Sequence, residues 1–330
     1  MAGFRAIVVA QQGDTVAAAI ERRQRPVLNE NEVLVEVHYS SLNYKDALAV
    51  SGPSAVVRKL PLIAGIDAAG VVIESNSDAF SKGDQVIATG YELSQSHDGG
   101  YAELLCLPAD WLVPLPPGLS LSESMILGTA GFTAAIAVHR LLQNGQQPDA
   151  GPIIVTGATG GVGSFAINIL SSLGFQVTAL TGKPDQSQSY LKALGASDLI
   201  DRNTLVMGNK PLERGVWAGA IDNLGGATLA WLTRSVQPYG NIAACGLAGG
   251  PELQTTVMPF ILRGVSVLGI ASSFCTMSLR KSLWQNLATV WKPSKLNQIH
   301  NNTITLDKVV STAASMLAAK TWGRCLIAIK

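Results

Sequence analysis

The stretch Ile153-Ile-Val-Thr-Gly-Ala-Thr-Gly-Gly-Val-Gly-Ser-Phe-Ala166 constrains the fold more than any other part of the chain. Ile153 to Val155 form a β-branched run with the composition of a strand buried on both faces. Gly157, Gly160, Gly161 and Gly163 then strip side chains from the turn that follows, which leaves room for a phosphate. Gly161-Val-Gly163-Ser-Phe-Ala166 fits the G-x-G-x-x-[GA] spacing: a first glycine for the tight turn, a second to admit a pyrophosphate, and a small third residue for close helix–strand packing. A helix from Gly163 to Leu173 would aim free backbone N–H groups and its positive end at the anion. The same glycines would also suit a βα turn that binds nothing. The strand before, the helix after and a second strand, Phe175 to Leu180, supply the context that favours a dinucleotide site.

Downstream, helices Gln186 to Leu194, Ala227 to Val236 and Ser278 to Trp291 alternate with strands Asp198 to Ile200, Trp217 to Asp222, Asn241 to Ala244 and Val265 to Gly269. A doubly wound parallel sheet needs that alternation, because right-handed crossovers cover both of its faces with helices. Upstream the chain reads as β structure. Strands are expected at Phe4 to Val9, Glu32 to His38, Ala69 to Glu74, Gln85 to Thr89, Tyr101 to Leu107 and Trp111 to Pro114. Turn-rich segments such as Gln11-Gln-Gly-Asp14, Ser81-Lys-Gly-Asp84 and His97-Asp-Gly-Gly100 separate them, which predicts a small barrel-like domain. Ser120-Leu-Ser-Glu123 has the serine and glutamate of a capping box, and a long helix follows through Met125 to Leu142. Thr303 to Leu306, a helix Val309 to Ala319 and a strand Arg324 to Ile329 read as β structure returning to the first domain. The expectation is an α/β chain with a discontinuous β domain, residues 1–124 and 296–330, and a cofactor domain, residues 125–295. A site in the cleft between two such domains is the default.

A net charge of +1 without a block of like charges gives no reason to expect nucleic acid or an anionic membrane surface as partner. The N-terminal segment lacks the layout of a signal peptide. The longest apolar stretch, Met125 to Val138, is interrupted by glycines and threonines and reads as a buried helix too short to span a bilayer. Cys106, Cys245, Cys275 and Cys325 stand alone, with no C-x-x-C pair. These features suit a cytoplasmic protein with a small-molecule partner.

A dinucleotide site that prefers NAD usually places a carboxylate at the end of the second strand, where it accepts hydrogen bonds from the ribose. Thr181-Gly-Lys183 stands there instead, and Arg202 follows the third strand, so hydroxyl, glycine and two cations suit the 2′-phosphate of NADPH. Taken alone, Lys183 would equally be a solvated turn lysine.

Several longer strings carry a resemblance that runs almost the full length. They are Ser40-Ser-Leu-Asn-Tyr-Lys-Asp-Ala-Leu-Ala49, Pro61-Leu-Ile-Ala-Gly-Ile-Asp67, Gly128-Thr-Ala-Gly-Phe-Thr-Ala134, Ala243-Ala-Cys-Gly-Leu-Ala-Gly-Gly250 and Thr255-Thr-Val-Met-Pro-Phe-Ile-Leu-Arg-Gly-Val-Ser266. With them the chain resembles the medium-chain dehydrogenase/reductase superfamily, in its zinc-free quinone oxidoreductase-like branch, and within it the NADPH-dependent acrylyl-CoA reductase group. The resemblance implies a GroES-like β-barrel catalytic domain joined to a Rossmann domain, and a homodimer made by pairing edge strands around Val265 to Gly269. In zinc-dependent relatives a cysteine stands where Asn43 does and Gly-His-Glu where Gly65-Ile66-Asp67 does, so no metal is expected.

By the same resemblance Tyr44 lies beside the nicotinamide and positions or protonates the substrate. Asn43, Asp46 and Asp67 are the other catalytic candidates, although each could simply satisfy loop backbone or brace a turn. Thr159, Gly160, Gly161 and Val162 are implied at the pyrophosphate, and Leu247, Ile261 and Ser272 around the nicotinamide. The implied reaction is NADPH-dependent reduction of an activated C=C bond in an enoyl-CoA such as acrylyl-CoA; the alternatives are a quinone or enone reductase and a non-catalytic NADPH-binding protein. Arg58-Lys59, Arg263 and Arg280-Lys281 are cations that could meet the phosphates of CoA. The loop Gly90 to Ser96, with Asp98 where relatives commonly carry Trp, departs from the family pattern and bears on which acyl group is accepted.

Overall fold

The strands Ile153–Thr156, Val177–Thr181 and Trp217–Asp222 bury every residue they contain. In the computed structural model, which describes residues 3–52 and 56–330, these strands form the middle of a parallel sheet. The sheet runs Asp198–Asp201, Val177–Thr181, Ile153–Thr156, Trp217–Asp222, Val236–Ala244, Ser266–Gly269. Numbered along the chain this is the order 3-2-1-4-5-6 of a doubly wound nucleotide-binding fold, whose ligands bind beyond the carboxyl ends of the strands. Ile154, Leu180, Ala220, Trp231, Leu232, Val236 and Ile242 pack into its core. It belongs to a compact unit of Ala130–Ala271 and Val290–Ile299.

The other unit comprises the described residues of Met1–Thr129 with Ser272–Thr289 and His300–Lys330. A three-stranded sheet, Thr15–Arg23, Phe4–Gln12 and Leu62–Ile63, lies beside a larger one. The organising strand of the larger sheet is Glu32–Leu42. Its first half pairs antiparallel with Leu104–Pro108, its middle with Asp67–Ser75, and its last residues with Arg324–Ala328. Leu42 lies opposite Cys325, which brings Arg324 to the point where the strand gives way to the helix Tyr44–Val50. Two apolar cores flank this sheet, one around Leu42, Val50, Tyr101 and Ile327, the other around Val35, Val72, Val86 and Leu107.

Three expectations change. The helix Met277–Ala288 groups with the β unit rather than with the parallel sheet, because Arg280 donates into Thr89 and its guanidinium lies 4.5 Å from the Tyr91 ring centroid. The division between units accordingly falls at Thr129/Ala130 and again around Ser272, Val290 and His300 instead of at residues 124 and 295. The expected helix Met125 to Leu142 is the longer Leu121–Gln143, opened by the Ser120–Glu123 capping box and broken at Gly128. It is long and apolar enough to cross a membrane, contrary to the estimate from Met125 to Val138, but 78 % of its most apolar window is buried inside the protein.

Candidate active site

Asn43 ends one strand and caps the helix Tyr44–Val50, with Asp46 returning a carboxylate oxygen to the Asn43 N–H at 3.0 Å. This places Tyr44 at the first helical position, 46 % exposed, directly after Asn43, which is buried together with Asp46 and Asp67. The three do not face solvent as separate polar groups; they are joined. Asn43 Nδ2 donates to Asp46 Oδ2 at 2.9 Å and to Asp67 Oδ2 at 2.8 Å. Ile66 N–H donates to Asp46 Oδ1 at 2.8 Å. Asp67 also accepts from Ser41 Oγ at 2.5 Å, from Thr129 N–H at 2.8 Å and from Thr129 Oγ1 at 2.6 Å.

The cation of this cluster is Arg324, only 3 % exposed. Its Nε donates to Ile126 O at 2.9 Å, and its Nη1 donates to Leu42 O at 3.0 Å and to Asn43 Oδ1 at 3.1 Å. Burial, and then the neighbouring Asp67 charge, pushes the Asp46 carboxyl up to about 7 despite its hydrogen bonds from Asn43 and Ile66. Burial and the same two carboxylates hold the Tyr101 phenol well above its usual range, while its O–H donates to Ser41 O at 3.1 Å. Gly128 adopts φ 50°, ψ −156°, and a Cβ there would stand 2.6 Å from Asp67 Oδ2 and from Ser41 Oγ. The absence of a side chain at Gly128 is therefore what leaves room for the network.

In the same unit, Ser272 is half-buried and its carbonyl accepts from Arg280 Nη2 at 2.9 Å. Arg280 Nη1 donates to Thr89 O and Oγ1, both at 2.8 Å. Its guanidinium covers one face of Tyr91, and Trp111 stacks with that ring at 5.2 Å. Arg280 is thus a fully buried structural cation, not a phosphate ligand. Arg263, in the other unit, donates to the carbonyls of Arg234, Val236 and Glu213 and is likewise engaged. Arg58 is exposed and pairs with Glu92 at 3.6 Å, beside exposed Lys59.

In the parallel-sheet unit the glycine turn is built differently from the expected spacing. The helix starts at Gly161, not Gly163, with Gly160 at its N-cap. Gly157 makes the turn at φ 57°. A Cβ on Gly163 would meet Gly157 O at 2.5 Å and Ala158 Cα at 2.8 Å, so Gly163 is the close-packing residue. At Gly160 the nearest atom to such a Cβ is Gly157 O at 3.3 Å, which leaves the N-cap open where the first free N–H groups point. The tight turn and the close packing expected of Gly161 and Ala166 fall instead to Gly157 and Gly163, and the open position lies at Gly160. Thr159 and Val162 are half-buried around this opening.

A buried carboxylate braces the turn from behind. Thr156 Oγ1 donates to Asp222 Oδ1 at 2.6 Å, Gly225 N–H donates to Asp222 Oδ2 at 2.8 Å, and Asn223 Nδ2 donates to Thr156 O at 2.7 Å. Burial raises the Asp222 carboxyl. At the end of Val177–Thr181, Arg202 donates its N–H to Thr181 O at 2.8 Å and lays its guanidinium over Gly182, where a Cβ would be 3.0 Å from Nη2. Lys183 N–H bonds to Thr181 Oγ1 at 3.1 Å, and burial holds its ammonium below the usual lysine range. Leu247 and Ile261 are exposed, at 61 % and 72 %; the Leu247 backbone lies against Gly225, whereas Ile261 sits on the separate helix Met258–Arg263.

Arg324, Ser41, Thr129, Asp222 and Asn223 were not singled out from the sequence. Only Asp222 had a local signal, an acidic residue closing an apolar strand before Gly225-Gly226.

A six-stranded parallel sheet with a glycine cradle, and a β unit with an exposed tyrosine next in the chain to a buried charge network, define a dinucleotide-dependent oxidoreductase. Residues 29–117 match the alcohol dehydrogenase GroES-like domain, and residues 161–289 match the zinc-binding dehydrogenase family. The putative quinone oxidoreductase YhfP of Bacillus subtilis is 45 % identical over 98 % of both chains, and its crystal structure, with NAD bound, superposes with a TM-score of 0.95. The probable acrylyl-CoA reductase AcuI of Escherichia coli is 42 % identical over 99 % of this chain and 100 % of its own. The yhdH oxidoreductase of Salmonella enterica, crystallised with NADP, is 41 % identical over 99 % of this chain and 100 % of its own, with a TM-score of 0.95. The chain belongs to the medium-chain dehydrogenase/reductase family of oxidoreductases.

The residues present do not fit the zinc ion that the matched family's description mentions. Asn43 and Ile66 bring no soft ligand, Asp46 and Asp67 are held by hydrogen bonds on both oxygens, and among the described residues no three His, Cys, Asp or Glu side chains converge.

Proposed function

We propose that the protein is an NADPH-dependent reductase of activated C=C bonds, acting at the β-carbon of a short α,β-unsaturated acyl-CoA such as acrylyl-CoA. The observation that carries this reading is how the polar groups are arranged. Both carboxylates are buried and hydrogen-bonded within the set Asn43, Ser41 and Thr129, while Tyr44, the residue after Asn43, is exposed. Oxidising an alcohol calls for a group that generates an alkoxide; reducing an electron-poor C=C calls for a hydride, polarisation of the adjacent carbonyl and a proton for the α-carbon. NADPH, when bound, supplies the hydride. Tyr44 donates a hydrogen bond to the thioester carbonyl and is the candidate proton donor to the α-carbon. Asn43, Asp46 and Asp67 hold Tyr44 in place rather than meet the substrate.

On the cofactor side, Thr159, Gly160, Gly161 and Val162 line the open helix start and would hold the pyrophosphate. Thr181, Gly182, Lys183 and Arg202 would hold the 2′-phosphate, which favours NADPH over NADH. Leu247, Ile261 and Ser272 would contact the nicotinamide half. The name of AcuI, at 42 % identity, supports the thioester; that of YhfP, at 45 %, supports the second reading, a quinone reductase. Four free thiols suit the cytoplasm. The strand Ser266–Gly269 pairs on one side only among the described residues, which supports a homodimer through that edge; sedimentation as a monomer at micromolar concentration would contradict it.

The decisive experiment is a turnover panel of NADPH and NADH against acrylyl-CoA, crotonyl-CoA and simple quinones. Ready reduction of a quinone with none of acrylyl-CoA would overturn the thioester assignment. Binding of NADPH without turnover of any acceptor would leave a non-catalytic binding protein.

A further inference from the structure

Arg324 reaches the region of Tyr44 from the far end of the chain, and the way it does so assigns it a task. Its Nη1 holds two successive acceptors just ahead of Tyr44, the Leu42 carbonyl and the Asn43 amide oxygen. Its Nε, on Ile126 O, fixes the plane of the guanidinium. An amide has one accepting end and one donating end. With Oδ1 held on Arg324, Asn43 Nδ2 must face Asp46 and Asp67, which is where it donates. The amide therefore stands between unlike charges, and Arg324 makes no hydrogen bond to either carboxylate among the described residues.

Asn43 is also the cap of the helix that Tyr44 opens, locked by the return bond from Asp46. Turning the amide would leave Asp46 and Asp67 without the donor they share, release the cap and shift the first helical residue. We propose that Arg324 is a positioning residue for the reaction at Tyr44, acting through the Asn43 amide. The inference rests on the reading of Tyr44 given above. A lysine would conserve the charge at this site and lose the fork, since an ammonium cannot grip the Leu42 and Asn43 oxygens while keeping a planar bond to Ile126 O.

The test is a double-mutant cycle measured with NADPH and acrylyl-CoA on the full chain, using Arg324→Met, Tyr44→Phe and the combined variant, with thermal unfolding of each. Arg324→Met should lower kcat on the order of 100-fold, as a misplacement near 1 Å does. The KM for NADPH should move by less than about threefold. The combined variant should be no slower than the slower single one, because both changes remove the same contribution. Losses that multiply, or an unchanged kcat in Arg324→Met, would overturn the proposal. Should Arg324→Met not fold, Arg324→Lys enters the same cycle.

A second readout is independent of turnover. In protein labelled with 3-fluorotyrosine, the 19F resonance assigned to Tyr44 by its absence in Tyr44→Phe should move in Arg324→Lys beyond its wild-type linewidth. A resonance that stays in place overturns the positioning role. If wild-type protein reduces neither thioester nor quinone, the proposed function falls while the 19F shift still decides whether Arg324 places Tyr44.

Discussion

The two candidate half-sites are made of different material. In the parallel-sheet unit the cradle is mostly backbone: a left-handed Gly157, an open Gly160 and a Gly163 pressed against Gly157 O. In the β unit the network that begins at Asn43, next to Tyr44, is made of side chains, with Ser41, Asn43, Asp46, Asp67, Thr129 and Arg324 drawn from four separate segments. A backbone site fails when a Cβ is added. A side-chain network fails when one charge or one donor changes. The contrast predicts what each half will tolerate.

The largest expected effect tests the charged half. The Asp46 carboxyl is raised from an ordinary 3.8 to about 7 in the folded protein. Its contribution is therefore fully present below pH 3.8 and is lost as pH rises through about 7, since the unfolded chain ionises first. Denaturant unfolding should show stability falling by on the order of 4 kcal/mol from this group across that window, and Asp46→Asn should flatten the slope. An unchanged slope in that variant would show the network is not organised around Asp46.

Next comes the backbone half. Gly163→Val should weaken NADPH binding on the order of 100-fold in a fluorescence titration, because the added carbons push the helix start off the turn; a smaller loss than tenfold would mean that the cradle can yield. Arg202→Ala should weaken NADPH about tenfold and leave NADH within about twofold, since only one of them carries a 2′-phosphate. Equal losses for both would move Arg202 out of the phosphate site. The smallest effect returns to the network: Thr129→Val removes the 2.6 Å bond to Asp67 while leaving the backbone donor, and should cost about 1 kcal/mol in thermal unfolding.

The same contrast explains what could be read from the sequence. Backbone sites are written in consecutive residues, so Thr156-Gly-Ala-Thr-Gly-Gly-Val-Gly163 announced itself, and strands such as Gln85–Thr89 and Trp217–Asp222 lie at the expected residues. Even there the period misled by a step, because the four glycines admit two phasings and only the helix start distinguishes them. Thr15–Arg23 was not legible as a strand, since none of its residues is fully buried and it lacks a clean apolar alternation. The network was only half legible. Asn43, Asp46 and Asp67 could be named because they lie in or beside recognisable strings, but nothing local marks Arg324 as the partner of Asn43, from which it is separated by 281 positions. Strand pairing between Leu42 and Cys325 brings them together, and pairing partners are not encoded in either strand alone.

The orientation of a single amide has consequences for how such a chain can change over generations. Exchange of Asn43 for a thiol would set a third acidic group against Asp46 and Asp67 and take from Arg324 Nη1 one of its two acceptors. Exchange of Arg324 alone would leave the amide free to turn. Each single step disturbs the partner that remains, so the two positions should be coupled rather than independent. Asn43, Asp46, Asp67, Gly128 and Arg324 should therefore behave as one unit under substitution, with losses that do not add.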